Sequence, residues 1–246
     1  MDPLSALAVC AAALCVGLAV GATGIGGVLL IPALWLLAGV PVREAMGTVL
    51  AANAANGALA AFLFARRGSI DWRIAAPLAA GALVFAFAGG TLNAYLPAAA
   101  LVKLLGVVMA AGCAYAYFAP APRLTAGPAR GRTALLFAIG LVSGLAAGLT
   151  GAGGPLVSVP LMTAAAFPFL ATVGASQVLQ LAASVSGAAA YGRDGAIAAS
   201  LLALIVPVQL AGIWAGVRLA HRLDVRLARR AIAALGVVVG GLLVGI

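Results

Sequence analysis

Residues 21–32 read GATGIGGVLLIP, and residues 148–160 read GLTGAGGPLVSVP. Thr23, Gly24, Gly26 and Gly27 recur as Thr150, Gly151, Gly153 and Gly154 at an offset of 127, and Pro32 recurs as Pro160 with one residue inserted. Both copies lie inside long apolar runs. Glycines let a chain leave helical geometry. A helix that restarts after such a break points unpaired N–H groups and the positive end of its dipole into the gap. Such an end binds an anion without a formal positive charge. Thr23 and Thr150 add hydroxyl donors or cap the restarting helix. Two other readings compete. Glycines can serve helix packing alone, a reading that the matched second copy weakens. GATGIGG as a dinucleotide fingerprint needs a strand–turn–helix setting that these apolar surroundings do not offer.

A second polar pattern accompanies the motifs. Thr48, Asn53 and Asn56 interrupt one apolar segment; Ser176, Gln180 and Ser184 interrupt another at i, i+4 and i+8, with Gln177 beside them. Helical geometry puts the latter trio on one face. Asn53 and Gln180 are equivalent at the offset of 127, so both copies keep an amide. Amide donors facing a cavity can hold anionic oxygens, and they can equally bond helix to helix. The candidate binding set is Thr23, Gly24, Gly26, Gly27, Asn53, Asn56, Thr150, Gly151, Gly153, Gly154, Gln177 and Gln180, with no catalytic residue, metal or cofactor expected.

What is missing is also informative. The acidic residues are Asp2, Glu44, Asp71, Asp194 and Asp224, all near segment ends, and the only histidine, His221, lies in a basic loop. No mid-segment carboxylate or imidazole is present to relay protons. Coupling would then use a protonated substrate or an ion held by backbone carbonyls freed at the breaks; passive, channel-like passage is open too. An intramembrane hydrolase would need a Ser/His, aspartate-pair or metal-ligand set that the segments lack. Asp71 and Asp194, beside arginines, read as interfacial salt bridges or turn residues. Cys10, Cys15 and Cys113 have no metal-ligand spacing and read as small hydrophobes.

The elements that must carry these residues are membrane helices. The chain is 65% hydrophobic and 8% charged, where a soluble domain carries about a quarter charged residues. The start, Met1-Asp2-Pro3, lacks a basic n-region and does not read as a cleaved signal peptide. Five apolar segments (about 4–22, 27–40, 45–65, 74–95 and 98–118) are followed by five more (about 133–149, 155–167, 173–191, 197–217 and 231–246). The second of each five is short: fourteen helical residues span about 21 Å, against a hydrocarbon core of roughly 30 Å. It either crosses incompletely or forms a re-entrant hairpin with the first. At the offset of 127, Gly17 also matches Gly144, Pro41 matches Pro168, Gly68 matches Gly195 and Gly89 matches Gly216; near the end GVV at 106–108 matches GVV at 236–238 at 130. This divides the chain into a first transmembrane repeat at 1–119, a basic cytoplasmic linker at 120–132 and a second repeat at 133–246.

Charge decides how the halves are related. With an odd number of crossings per half, Arg66, Arg67, Arg73, Arg123, Arg130, Arg132, Arg218, Arg222, Arg226, Arg229 and Arg230 share one side, and Arg43, Lys103 and Arg193 the other, a split of 11 to 3. Four crossings per half give 7 to 7. The positive-inside rule selects odd parity, hence inverted halves with both termini outside the cytoplasm. The net charge of +9 fits anionic lipid head groups better than nucleic acid, because the basic residues sit in short loops between apolar runs. The expected fold is an all-α polytopic membrane protein of two inverted repeats, about five apolar segments each, with glycine-broken or re-entrant helices meeting near the midplane.

Two TGxGG motifs, each followed by a proline, in a small duplicated membrane chain resemble the TauE/SafE family, known as sulfite exporters or anion permeases. GTVLAANAANG (47–57) and RRGSIDW (66–72) also resemble that family's first repeat. The resemblance covers essentially the whole chain. It implies transport of sulfite, sulfonates or related sulfur-containing anions across the bacterial inner membrane. The partners expected are a small anionic substrate and membrane lipids, with no nucleic acid and a homo-oligomer left open. A membrane-embedded enzyme, an anion channel and an accessory membrane subunit are the alternative readings. Pro155 and the extra residue before Pro160 depart from the first motif, so the site need not be strictly symmetric.

Overall fold

The computed structural model describes residues 3–23, 26–118, 132–219 and 225–245. Among them every regular element is helical. In chain order these are α1 (Pro3–Thr23), a short 3₁₀ turn (Gly27–Leu29), α2 (Leu30–Ala38), α3 (Val42–Arg66), α4 (Trp72–Asn93), α5 (Ala98–Phe118), α6 (Thr133–Thr150), α7 (Pro155–Ala164), α8 (Phe169–Arg193), α9 (Ala199–Leu219) and α10 (Val225–Gly245). Six of them (α1, α3, α4, α5, α6 and α9) are long and apolar enough to cross a membrane. The short pair, α2 and α7, have 9 and 10 residues, about 14–15 Å of helix, too little to cross. Most of the basic linker lies outside the described residues.

The helix bounds repeat at the sequence offset. α3 and α8 both run 25 residues, from 42 to 66 and from 169 to 193, and α5 and α10 both run 21, from 98 to 118 and from 225 to 245. The offset of 127 thus holds for the bounds of α3 and α8. α10 starts before the apolar run at 231 because its basic first turns are helical although not apolar. Arginine is a good helix former, and an apolar window misses it.

Helix pairing follows from close backbone approach. Lipid offers no hydrophobic drive between helices, so association rests on packing at small residues. α1 lies parallel to α9, with Gly17 against Gln209 and Gly212, and Gly216 against Leu18 and Ala22. A Cβ at Gly212 would stand 2.7 Å from the Leu14 carbonyl oxygen. α6 lies parallel to α4 in the same way, with Gly140, Gly144 and Gly148 against Leu78, Ala82 and Ala86. α3 and α8 cross antiparallel: Gly47 packs on Tyr191, Leu50 on Gly187, and Gly57 on Gln180 and Leu181. α5 and α10 are antiparallel too, with Gly106 against Gly240 and Cys113 against Gly236.

The contacts at the helix ends sort the charges. Arg132, at the head of α6, donates to the Ala165 carbonyl at the tail of α7 (2.7 Å). The α6–α7 pair thus enters and returns at one end, as a re-entrant hairpin. Ser69, just after Arg66 and Arg67, packs on Gly174 of early α8 at that same end. At the opposite end Arg43 pairs with Asp194 (2.7 Å), which also accepts from Arg193 (3.2 Å). Hydrogen bonds from Arg43 and then Arg193 hold the Asp194 carboxyl below its ordinary pKa. The ion pair therefore favours the fold above the ordinary carboxylate range and is lost as pH falls through the lowered value. Asp71 caps α4 by accepting from the Arg73 N–H (3.0 Å). Cysteines placed singly at positions 67 and 193 of a cysteine-free chain should label from opposite sides of the membrane; labelling of both from one side would contradict this arrangement.

Candidate functional site

Asn53 is the twelfth residue of the 25 in α3, and Gln180 the twelfth of the 25 in α8. The crossing of these two helices therefore brings both amides to one level, at the middle of each helix. Gln180 Nε2 donates to the Asn53 backbone carbonyl (3.4 Å), and Asn56 Nδ2 donates to Asn53 Oδ1 (3.4 Å). Asn53 and Asn56 are 4% and 5% exposed. A cavity of about 170 Å³ opens beside them; cavities of roughly 150 Å³ admit benzene in other proteins. Gly26, Gly27, Asn53, Asn56, Gly153, Gln177 and Gln180 all line it, so residues of both motifs and all four amides share one wall. Val20, Val28, Leu156, Val159 and Val173 supply an apolar remainder, and no charged side chain is on the lining among the described residues.

The two breaks take the form that glycine permits. α6 ends at Thr150, Gly151 turns left-handed (φ 68°), Gly153 does so again (φ 80°), and α7 starts at Pro155. In the first copy Gly26 has φ 129° before the 3₁₀ turn. The motif glycines divide by role. A Cβ at Gly27 would meet Asn53 Oδ1 at 3.6 Å, and one at Gly153 would meet Asn53 Nδ2 at 3.5 Å, so both face the cavity amides. A Cβ at Gly151 would stand 2.6 Å from the Met46 carbonyl oxygen, and one at Gly154 would run into Leu179. Those two glycines are packing positions, off the cavity wall. Thr150 is off it as well: its hydroxyl donates to the Ala146 carbonyl (2.7 Å) and accepts from the Ala152 N–H (3.3 Å), so it serves the turn. Gly24 and the side chain of Thr23 lie outside the described residues. On α8 the wall is made by Val173, Gln177 and Gln180. Ser176 instead bonds Thr172 and Ser158, and Ser184 is buried away from the cavity.

The second break caps three helix-end carbonyls and leaves backbone donors beside the cavity. Three carbonyls in the last turn of α6 are capped: Ala147 by the Gly151 N–H (2.8 Å), Gly148 by the Tyr191 hydroxyl (2.8 Å) and Leu149 by Asn93 Nδ2 (2.6 Å). At the start of α7, Pro155 has no N–H. The N–H groups of Gly153 and Leu156, both wall residues, make no hydrogen bond among the described residues, and nor do those of Gly27 and Val28. Backbone groups that must stay unpaired in an apolar setting are costly; donors gathered on a cavity suit a bound anion. Sequence reasoning missed Tyr115, which lines the cavity and hydrogen-bonds Thr163, and the caps Asn93 and Tyr191. Each lies near a segment end, where polar residues are unremarkable.

A family model described as Sulfite exporter TauE/SafE matches residues 9–243. No curated protein and no solved structure matches the chain. The geometry gives a direct test. Gly27→Leu should lower anion flux by roughly tenfold or more while leaving membrane insertion intact, because leucine suits lipid but fills the cavity; Gly153→Leu should do so too, with strain of its left-handed turn added. Gly241→Leu, where an added Cβ meets nothing within 4 Å, should transport at the parent rate. Equal rates in all three variants would place the site elsewhere.

Proposed function

The chain belongs to the TauE/SafE family, and on that premise we propose that it moves a small anion, sulfite or an organosulfur compound such as a sulfonate, out across a bacterial inner membrane. The observation that carries this reading is the donor wall at the middle of α3 and α8: backbone N–H groups and amides, with no charged side chain among the described residues. A formal positive charge there would cost on the order of 2.5–3.5 kcal/mol even on lenient insertion scales. It would also hold an anion firmly, whereas helix ends and amides allow release. A channel would share this lining, and the rate and saturation of flux separate it from a carrier.

The proposal includes inverted halves at 1–119 and 133–246, joined by the basic linker. Its support is the direction of the self-equivalent pairs. α3 and α8 correspond at the offset of 127, as do α5 and α10, and both pairs run antiparallel. A two-fold axis in the membrane plane requires this of a helix and its mate, whereas repeats related along the membrane normal would make mates parallel. The parallel pairs α1–α9 and α4–α6 also exchange under the same correspondence. The end bearing Arg66, Arg67 and Arg132 then faces the cytoplasm.

Reconstitution into liposomes tests the reading with a panel of labelled sulfite, sulfate, thiosulfate, taurine and sulfoacetate. Saturable flux of at least one sulfur anion, reduced roughly tenfold by Gln180→Ala through loss of a donor, is the expected result. A chain that inserts fully yet carries no member of the panel would contradict it.

A further inference from the structure

The cavity occupies one side of the α3–α8 crossing. From Asn53 and Gln180 its lining runs through Asn56 of α3, Tyr115 and Ala116 of late α5, and Gln177 and Val173 of early α8. These lie toward the end that carries Arg66, Arg67 and Arg132. On the other side of the crossing the same three helices are filled: Met46 and Leu50 of α3, Leu105 and Met109 of α5, and Ala183 of α8 are at most 1% exposed. At the offset of 127 the amides Asn56 and Gln177 correspond to Ala183 and Leu50. The cavity side therefore carries the amides, and the filled side carries apolar side chains at the equivalent positions.

Polar ties are unequal between the two ends as well. At the filled end Arg43 pairs with Asp194 (2.7 Å), Thr48 Oγ1 accepts from the Ala198 N–H (2.9 Å), and the Tyr191 hydroxyl donates to the Gly148 carbonyl (2.8 Å). The equivalent positions hold Leu170 with Arg67, Ala175 with Asp71, and Phe64 with Gly21. Leucine, alanine and phenylalanine have no polar side-chain atom, so none of the three ties is repeated at the cavity end. The packing beneath them is repeated: Gly47 lies against the Ala196 carbonyl, and Gly174 against that of Ser69. Helix stability does not explain the ion pair. Arg43 is the second residue of α3 and Asp194 caps the end of α8. A cation at a helix start and an anion at a helix end each oppose the helix dipole. What the pair favours is the junction of the two helices. The polar contacts at the cavity end, Tyr115 with Thr163 and Arg132 with Ala165, hold α7 to α5 and α6 instead.

We propose, resting on the transport and inverted-halves reading above, that the three ties are a latch. They hold the Arg43–Asp194 end shut and keep the resting cavity toward the basic end, so the anion is loaded there. When the two halves exchange conformations, a motion that inverted repeats allow, the latch parts and the filled side opens along Met46 and Leu50. No equivalent of Asn56 or Gln177 holds the anion on that side, and it is released.

The test reads where the chain opens, using a membrane-impermeant maleimide on single cysteines of an otherwise cysteine-free chain in proteoliposomes. Leu50→Cys should react slowly from the Arg193 side. Asp194→Asn with Thr48→Val removes two of the ties and should speed that reaction roughly tenfold. Gln177→Cys, read from the Arg67 side, should slow in the same background. Arg43→Asp alone should also speed labelling of Leu50→Cys; adding Asp194→Arg, which re-forms the pair with its charges exchanged, should return it to the parent rate. Unchanged labelling at both positions in the latch variants, with sulfur-anion flux retained, overturns the latch and leaves transport standing. If Leu50→Cys does not insert, Gln177→Cys decides by itself. Labelling of positions 67 and 193 from one side, or no flux from inserted parent chain, sinks the underlying reading instead.

Discussion

A backbone that leaves its helix inside a membrane must find partners for every group it frees, since lipid supplies none. This constraint organises the whole molecule. At the second motif the carbonyl ends of α6 are met one by one by Gly151, Tyr191 and Asn93, each from a different place in the chain. The N–H groups of Gly153 and Leu156 are instead left beside a cavity. Donors gathered on a cavity wall suit a bound anion.

Positioning such a break requires rigid neighbours. The glycine stripes that bring α6 onto α4 and α1 onto α9 hold the broken helices at fixed depth. The α3–α8 crossing brings two amides from the centres of 25-residue helices to the same level. The Arg43–Asp194 pair ties the opposite ends of those helices together, and the Tyr191 ring lies 6.0 Å from the same guanidinium while its hydroxyl reaches the break at Gly148. A charge contact at the surface is thus linked through one side chain to the backbone of the site. Surface ion pairs add little stability by themselves, so positioning is the larger part of what this one contributes.

Much of this was legible in the sequence because it depends on residue type and spacing. The doubled motif, the two short segments, the equivalence of Asn53 and Gln180, and the family all follow from one offset and its residues. The division of labour among the motif glycines was not legible. Gly151 and Gly154 look like Gly27 and Gly153 in the sequence, and only the neighbours Met46 and Leu179 make them packing positions. The polar face of α8 misled for a related reason. Ser176, Gln180 and Ser184 share a helical face, but α7 lies against part of it, so Ser176 bonds Ser158 and the cavity takes Gln177 with Gln180. The caps Asn93 and Tyr191 act across 56 and 43 residues of chain, a distance no local pattern reports.

The most direct measurement of the central claim, that a neutral donor wall holds the anion at mid-depth, is anomalous diffraction from crystals of the full chain grown with selenite. The account predicts a selenium peak between Gly27, Asn53, Gly153 and Gln180, lost in Gly27→Leu. A peak confined to the basic end, beside Arg66, Arg67 and Arg132, from protein that transports selenite would contradict it.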